Sequence, residues 1–320
     1  MNIFCSIIIP FNNSKKTLKK CILSVLNQQG KINYEIILID DFSNDGSKQL
    51  CDKLIKKKNN CKILKSKTKT IGPGHARNIG LKYAKGKYIL FIDSDDAISR
   101  NAIRIFYDKS KNANNPDIIC ANFKVIDKVG NFKKKNRNDL KFYKKSKKSL
   151  LLNFFNLSII PQVISNLISK KIIDKNNIKF QKGLFEDIYF YFKILFFSKK
   201  IKILNDKIYF KFNRKNSIVN SLTQNHITDS FNSYYKCYKF LINKNFFRKS
   251  VINKYFLVAI TGQVAVFFNR ILESKKTKTN QNLRNLLKKT YFKMRRRINF
   301  DYFFQTKKDI IAKNFLYDIK

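Results

Sequence analysis

Three carboxylates, Asp93, Asp95 and Asp96, follow the apolar run Tyr88-Ile89-Leu90-Phe91-Ile92 almost without a break. Acids crowded at a strand end repel one another unless a cation or hydrogen-bond donors neutralise them. The Asp-x-Asp spacing can offer two carboxylates to one hard cation, whose other positions go to water and phosphate oxygens. Asp-Ser-Asp also makes ordinary turns, so the triplet alone decides nothing. Asp40 and Asp41 close a second apolar run, Glu35 to Ile39, and suit either an Asx turn or acceptance of a nucleobase N–H. In Gly72-Pro73-Gly74-His75-Ala76-Arg77-Asn78-Ile79-Gly80, glycines ahead of a helix let backbone N–H groups approach an anion. Arg77 could add a charge-assisted contact to phosphate, although a helix start with a surface arginine reads the same. Glu186 and Asp187 form an acidic pair in a basic, aromatic stretch. They fit a salt bridge to neighbouring lysines, or a general base with a tuned pKa.

Other residue types narrow the chemistry. His75 and His226 are the only histidines, which excludes catalysis built on several imidazoles. The six cysteines form no C-x-x-C pair, and several sit in apolar runs, as buried free thiols in a reducing compartment do. A metal here must be held by oxygen, which selects Mn²⁺ or Mg²⁺ over Zn²⁺. The net charge of +46 over 320 residues attracts polyanions, whether nucleic acid, an anionic membrane face or a phosphorylated substrate. Abundant Lys, Asn, Ile and Phe also fit low-GC coding. A nucleic-acid binder needs a recognition module or a basic stripe interleaved with stacking aromatics. The lysines are instead dispersed or in loops, and strand-end acids repel phosphates that lack a metal.

Such residues need elements that bring strand ends together. Cys5 to Ile9, Glu35 to Ile39, Ile63-Leu64 and Tyr88 to Ile92 read as strands, with the first ended by Pro10. Helices alternate with them: one capped by Ser14 and carrying Leu18, Ile22, Val25 and Leu26, one through Leu50, Leu54 and Ile55, and one over Ala76–Ala84. Apolar runs without alternation are strands covered on both faces, the signature of a parallel sheet. Repeated βα units predict a doubly wound, mostly parallel α/β sheet with helices on both faces and its site at the carboxyl ends of the strands. The expected organisation is a catalytic domain over 1–220, with halves at 1–125 and 126–220, then a helical basic region over 221–320. Lys133–Lys135 and Lys144–Lys148 read as solvated loops. No signal peptide is evident at the N-terminus, and the longest apolar stretch, Tyr255 to Phe268, is short of the roughly 20 residues a spanning helix needs. Packing on the catalytic domain is the expectation for that segment.

Taken in order, these motifs are specific. Ser6 to Asn13, Glu35 to Ser47, Ala76 to Leu81 and Gly86 to Asp96 resemble the nucleotide-sugar-binding half of the family 2 glycosyltransferases of GT-A fold. Glu186-Asp187 falls where that family carries its acidic base motif, and Tyr209 with Arg214–Ile218 looks like the segment closing the acceptor side. The resemblance covers roughly residues 3–220. It implies a metal-dependent, inverting transfer from a nucleotide-diphosphate sugar, a UDP-sugar by the same resemblance. Asp95 would ligate Mn²⁺ or Mg²⁺, with Asp93 on the ribose or the metal and Asp96 in support. Asp41, backed by Asp40, would hold the base, Pro10 and Asn13 would wall the nucleotide pocket, and Arg77, Asn78 and Ser94 would complete the donor site. Asp187 would be the general base, oriented by Glu186. The implied acceptor is a glycan or a lipid-linked oligosaccharide of surface polysaccharide synthesis, at the cytoplasmic side of a membrane whose anionic surface the basic C-terminal region could meet. Two departures stand out: Asn12 replaces a frequent aromatic, and Val163-Ile164-Ser165-Asn166 lies where the family often has a tryptophan. A nucleotidyltransferase would use similar carboxylates, but it usually has a glycine- and basic-rich loop where Pro10-Phe11-Asn12-Asn13 stands. A catalytically dead relative is the remaining alternative, and the presence of Asp93, Asp95 and Asp187 speaks against it.

Overall fold

The structure is a computed structural model that describes residues 2–68, 72–126, 132–133, 140–212, 222–273, 277–298 and 307–317. The expected segment Arg214–Ile218 lies outside the described residues. The first four strands are β1 (Cys5–Phe11), β2 (Tyr34–Asp40), β3 (Cys61–Lys65) and β4 (Tyr88–Phe91). Between them run α1 (Lys15–Leu26), α2 (Ser47–Ile55) and α3 (Gly74–Tyr83). After β5 (Ala97–Ile98) come α4 (Ala102–Asn112), β6 (Ile118–Ile126), β7 (Phe132–Lys133), α5 (Lys147–Phe155), β8 (Asn166–Ser169), α6 (Lys170–Lys175), α7 (Glu186–Phe197) and β9 (Ile201–Phe212). Among the described residues, α8 (Gln224–Asn243), α9 (Lys249–Leu272), α10 (Thr277–Arg295) and α11 (Lys307–Tyr317) follow.

The described strands join one sheet, ordered β3-β2-β1-β4-β8-β6-β9-β5, with β7 beside β6. The expected doubly wound sheet is present, and β3, β2, β1 and β4 are parallel. Beyond β4 the sheet is mixed rather than mostly parallel: β8 runs antiparallel to both β4 and β6, β9 parallels β6, and β5 opposes β9. The sequence pattern could not show this, because burial on both faces, not strand direction, writes an apolar run. Alternate residues of each strand serve opposite cores. Ile8, Ile37 and Ile39 join the core with α3, α5 and α7, whereas Ile7, Ile9, Ile36 and Leu38 join the one under α1, α2 and α4.

β1 continues through Pro10, which pairs in register with Ile39. Proline is tolerated there because β4 pairs only as far as Ile8, so on that side no ladder bond is asked of residue 10. Ser14 occupies the N-cap position of α1 without a side-chain cap bond; its hydroxyl turns to the site instead.

The C-terminal helices share the first core with α5 and α7. α9 has 24 residues, longer than the apolar stretch within it, and by length and composition could cross a membrane. Most of its apolar window, 61%, is buried, with Phe256, Leu257, Ile260, Val264 and Phe267 packed inside the protein. Its apolar residues surround the helix because α8, α10, α11 and α5 surround it.

Candidate active site

Parallel β1, β2 and β4 deliver their carboxyl ends to one edge, so three loops far apart in sequence meet there. Asn12 Nδ2 donates to the carbonyls of Asp41 (2.5 Å) and Phe42 (3.1 Å), and Asn13 Oδ1 accepts from Asn44 N at 2.9 Å. Asn13 has φ 44, a left-handed conformation that asparagine tolerates. The departure at Asn12 therefore has a structural use: a short amide clips the β1 loop to the β2 loop. Ser14 and Ser94 hydroxyls meet at 2.8 Å, tying the start of α1 to the acidic turn. Asp40 is buried, and its Oδ1 accepts from Ser43 N at 3.0 Å, so this residue makes the turn.

The carboxylate oxygens of Asp93, Asp95 and Asp96 lie within 4.8 Å of one another. Asp96 is 1% exposed, and both its oxygens are engaged, by Tyr209 Oη at 2.7 Å and Phe212 N at 3.0 Å. The Tyr209 hydroxyl also accepts from Asp93 N at 3.2 Å, so the end of β9 latches the acidic turn. Burial, then Asp93 and Asp95, pushes the Asp96 carboxyl up to about 8 despite these donors. Crowded carboxylate oxygens at one turn are a donor set that fits a hard divalent cation, which would relieve their repulsion. Asp96 fixes the turn, through Tyr209 and the backbone of Phe212.

Arg77 joins this turn to the second acid pair. It is 5% exposed, not a surface residue; Nη2 donates to Asp93 Oδ1 at 2.8 Å and Nη1 to Glu186 Oε1 at 2.6 Å. Glu186 thus answers the buried Arg77 rather than neighbouring lysines. Burial pushes the Glu186 carboxyl up, and Arg77 opposes this only in part. Asp187, half-buried in the first turn of α7, is pushed up to about 7 by burial, then by Glu186 and Asp93, against the pull of Arg77 and Lys211. Asn78, expected at the donor, turns to the loop before α7: its Nδ2 donates to Phe180 O and its Oδ1 accepts from Phe180 N, both at 2.9 Å. The close crossing of two loops requires glycine. A Cβ at Gly74 would lie 2.7 Å from Glu186 Cγ, and one at Gly72 (φ +81) 2.7 Å from Gly183 O.

Replacing Arg77 by Met leaves Glu186 buried with no opposite charge, a loss of about 3 kcal/mol or more in chemical denaturation. Without its partner the folded-state Glu186 carboxyl moves further above its unfolded value. The deficit therefore grows as pH rises beyond the ordinary glutamate range, and equal losses at pH 5 and pH 8 would show that the pair carries no such charge burden.

Sequence reasoning missed the Arg77–Glu186 pairing and the Tyr209 latch. A faint signal for the first was available, an arginine set among Ala76, Ile79, Gly80 and Leu81. Nothing near Tyr209 marks its hydroxyl.

Acids gathered at the strand ends of an open α/β sheet, linked through one arginine to a further acid pair, equip a protein for group transfer from a phosphorylated donor. The chain belongs to glycosyl transferase family 2, whose model matches residues 6–175. The match ends before Glu186. A cholesterol galactosyltransferase of Borreliella burgdorferi is 33% identical over 230 residues, 69% of this chain and 63% of that protein. The poly(ribitol-phosphate) β-N-acetylglucosaminyltransferase TarP of Staphylococcus aureus is 35% identical over 256 residues, 75% of this chain and 74% of TarP. This chain therefore spans somewhat under two thirds of the first relative's length and about three quarters of the second's. S. aureus TarS 1-349, solved in complex with UDP-GlcNAc, superposes with a TM-score of 0.68 at 21% identity, over 90% of this chain and 80% of that one. At that identity the likeness speaks for the GT-A-like fold.

Proposed function

We propose that this protein is an inverting glycosyltransferase that moves a sugar from a nucleotide-diphosphate donor, a UDP-sugar, to a hydroxyl of a glycan or lipid-linked acceptor in surface polysaccharide synthesis. The observation that carries this reading is the Arg77 bridge, which couples the turn of Asp93 and Asp95 to the acid pair Glu186-Asp187. Family membership supports sugar transfer, and TarS in complex with UDP-GlcNAc supports the donor class. The names of the two relatives, one for a sterol and one for a ribitol-phosphate polymer, support lipid and polymer acceptors.

Two demands define the chemistry. The departing diphosphate gains negative charge, and the acceptor hydroxyl must lose a proton. Asp95 and Asp93 would hold Mn²⁺ or Mg²⁺, which when bound supplies electrostatic stabilisation of the leaving diphosphate. Arg77 holds Asp93 in place and counters the charge of Glu186. Asp41, with Asp40 shaping its turn, faces the nucleobase, and Pro10 and Asn13 wall the pocket. Asp187 takes the proton from the acceptor hydroxyl, and Glu186 keeps the first turn of α7 in place. A base on the face opposite the leaving group yields inversion at the anomeric carbon. Incubating the protein with UDP-, GDP-, CMP- and dTDP-sugars and Mn²⁺ tests the donor. Release of UDP is expected, and release of another nucleotide, or of none, would overturn the assignment.

The C-terminal region supports a location at the cytoplasmic face of a membrane. Glu273 is the sole acid between Asp229 and Asp301, against many lysines and arginines, and Lys289, Lys293, Arg296 and Arg297 are exposed. Basic residues near an anionic surface contribute about 1 kcal/mol each. Sedimentation with anionic liposomes should show binding that weakens as salt rises; binding insensitive to salt, or none, refutes the peripheral location.

A further inference from the structure

The acid pair sits at the start of α7, after a loop with two left-handed residues, Gly183 (φ +101) and Phe185 (φ 56). A loop so bent needs an external hold, and one face of α8 provides it. Asp229 Oδ2 accepts from Leu184 N at 2.9 Å, Ser233 Oγ donates to Phe185 O at 3.2 Å, and Lys236 Nζ donates to Gln181 Oε1 at 3.2 Å. The Phe185 ring meets His226 edge-on, with centroids 6.0 Å apart. Residues 226, 229, 233 and 236 recur at helical spacing, so a single stripe of α8 faces the loop. The fit is close: a Cβ at Gly183 would lie 2.7 Å from Asp229 Oδ2. On the other side, the Gly72 turn that leads to Arg77 presses on the carbonyl of Gly183. The loop is thus clamped between the turn that carries Arg77 and the stripe of α8. Asp229 is also the one acid between Asp206 and Glu273, in a chain of charge +46.

We infer that Asp229, from the C-terminal helical region and beyond the span of the family match, is a positioning residue: by accepting the Leu184 amide it sets the first turn of α7 and so aims Asp187 at the acceptor hydroxyl. This rests on the reading of Asp187 as the base. Misplacing a reacting group by about 1 Å can cost on the order of 10²-fold in rate, so a loosened loop acts on turnover before it acts on donor binding.

The full chain is compared with Asp229→Ala and Asp229→Asn. In Asp229→Ala, hydrogen–deuterium exchange at the Leu184 amide should rise at least about tenfold, and kcat should fall about tenfold or more. The donor KM should stay within about twofold, because the donor site lies across Arg77. Asp229→Asn keeps an acceptor oxygen and should restore both exchange protection and turnover. The inference is overturned if Asp229→Ala leaves exchange or kcat unchanged, if Asp229→Asn loses as much as Asp229→Ala, or if kcat and donor affinity fall together with the melting temperature. Should the wild-type protein release nucleotide from no donor, the enzymatic reading fails. The amide-exchange arm still tests the hold of Asp229 on the loop.

Discussion

Replacing Asp187 by Asn is expected to lower turnover by about 10²-fold or more while leaving donor affinity close to that of the wild type. The amide keeps the shape of the carboxyl and the first turn of α7, and it removes only the capacity to take a proton. A base must be ionised to act. With burial, Glu186 and Asp93 pushing the Asp187 carboxyl up to about 7, turnover should rise with pH to a plateau above about 7. The residual rate of the variant should lack that acidic limb. Stability should move the opposite way. A carboxyl raised in the folded state favours the protonated form, so the stability it contributes is present below the unfolded value and is lost as pH climbs through about 7. Asp187→Asn mimics the protonated form at every pH. It should melt at about the wild-type temperature in acid and above it at pH 8, an exchange of stability for activity common at working sites. Turnover near the wild-type value would remove Asp187 from the mechanism, whatever the melting curves show.

The second large effect belongs to Asp95. Asp95→Ala is expected to abolish the part of donor binding that depends on Mn²⁺, so that calorimetric titrations with and without the ion give the same affinity. The three acids of the turn lie within 4.8 Å of one another, yet they are not equivalent. Asp96 is spent on Tyr209 and Phe212, and Asp93 on Arg77. Replacing Asp95 leaves those latches in place, so the fold should survive, and on the proposed reading it takes one carboxylate from the cation. The proton balance gives an independent reading. With the Asp96 carboxyl held near 8, cation binding at pH 7 should release protons. The apparent enthalpy of binding should then vary with the ionisation enthalpy of the buffer. An Asp95→Ala protein that still binds donor more tightly with Mn²⁺, or a wild type whose binding ignores the ion, would remove the cation from this turn.

Much of the N-terminal βα part of the sheet could be read directly. Ile36 to Ile39 and Ile89 to Ile92 are apolar throughout because each strand is covered on both faces, and acids that end such runs stand out against them. The same uniformity hid the direction of β8, whose Leu167 and Ile168 are as buried as any residue of β4. Of the two readings of Arg77, a phosphate contact or a surface side chain, burial against Asp93 and Glu186 excludes the second, and those partners lie 16 and 109 residues away. Tyr209 was read as part of the segment closing the acceptor side. Its hydroxyl bonds the acidic turn across 113 residues, a link that no local spacing encodes. The Tyr255–Phe268 segment was correctly expected to pack, since apolar residues on every side of a helix need neighbours on every side.

Local order was written in the chain itself: which segments extend, which coil, and which acids stand at the end of an apolar run. Those follow from side-chain period and burial, properties each segment carries alone. Tertiary structure decided the pairing of charges. A buried arginine acquires its role only when folding brings two carboxylates to it, and Asp187 leaves the ordinary aspartate range only once packing has stripped its water and set Glu186 and Asp93 beside it. Electrostatic energy depends on distance in space and on the surrounding medium, and neither quantity exists until the chain has closed on itself.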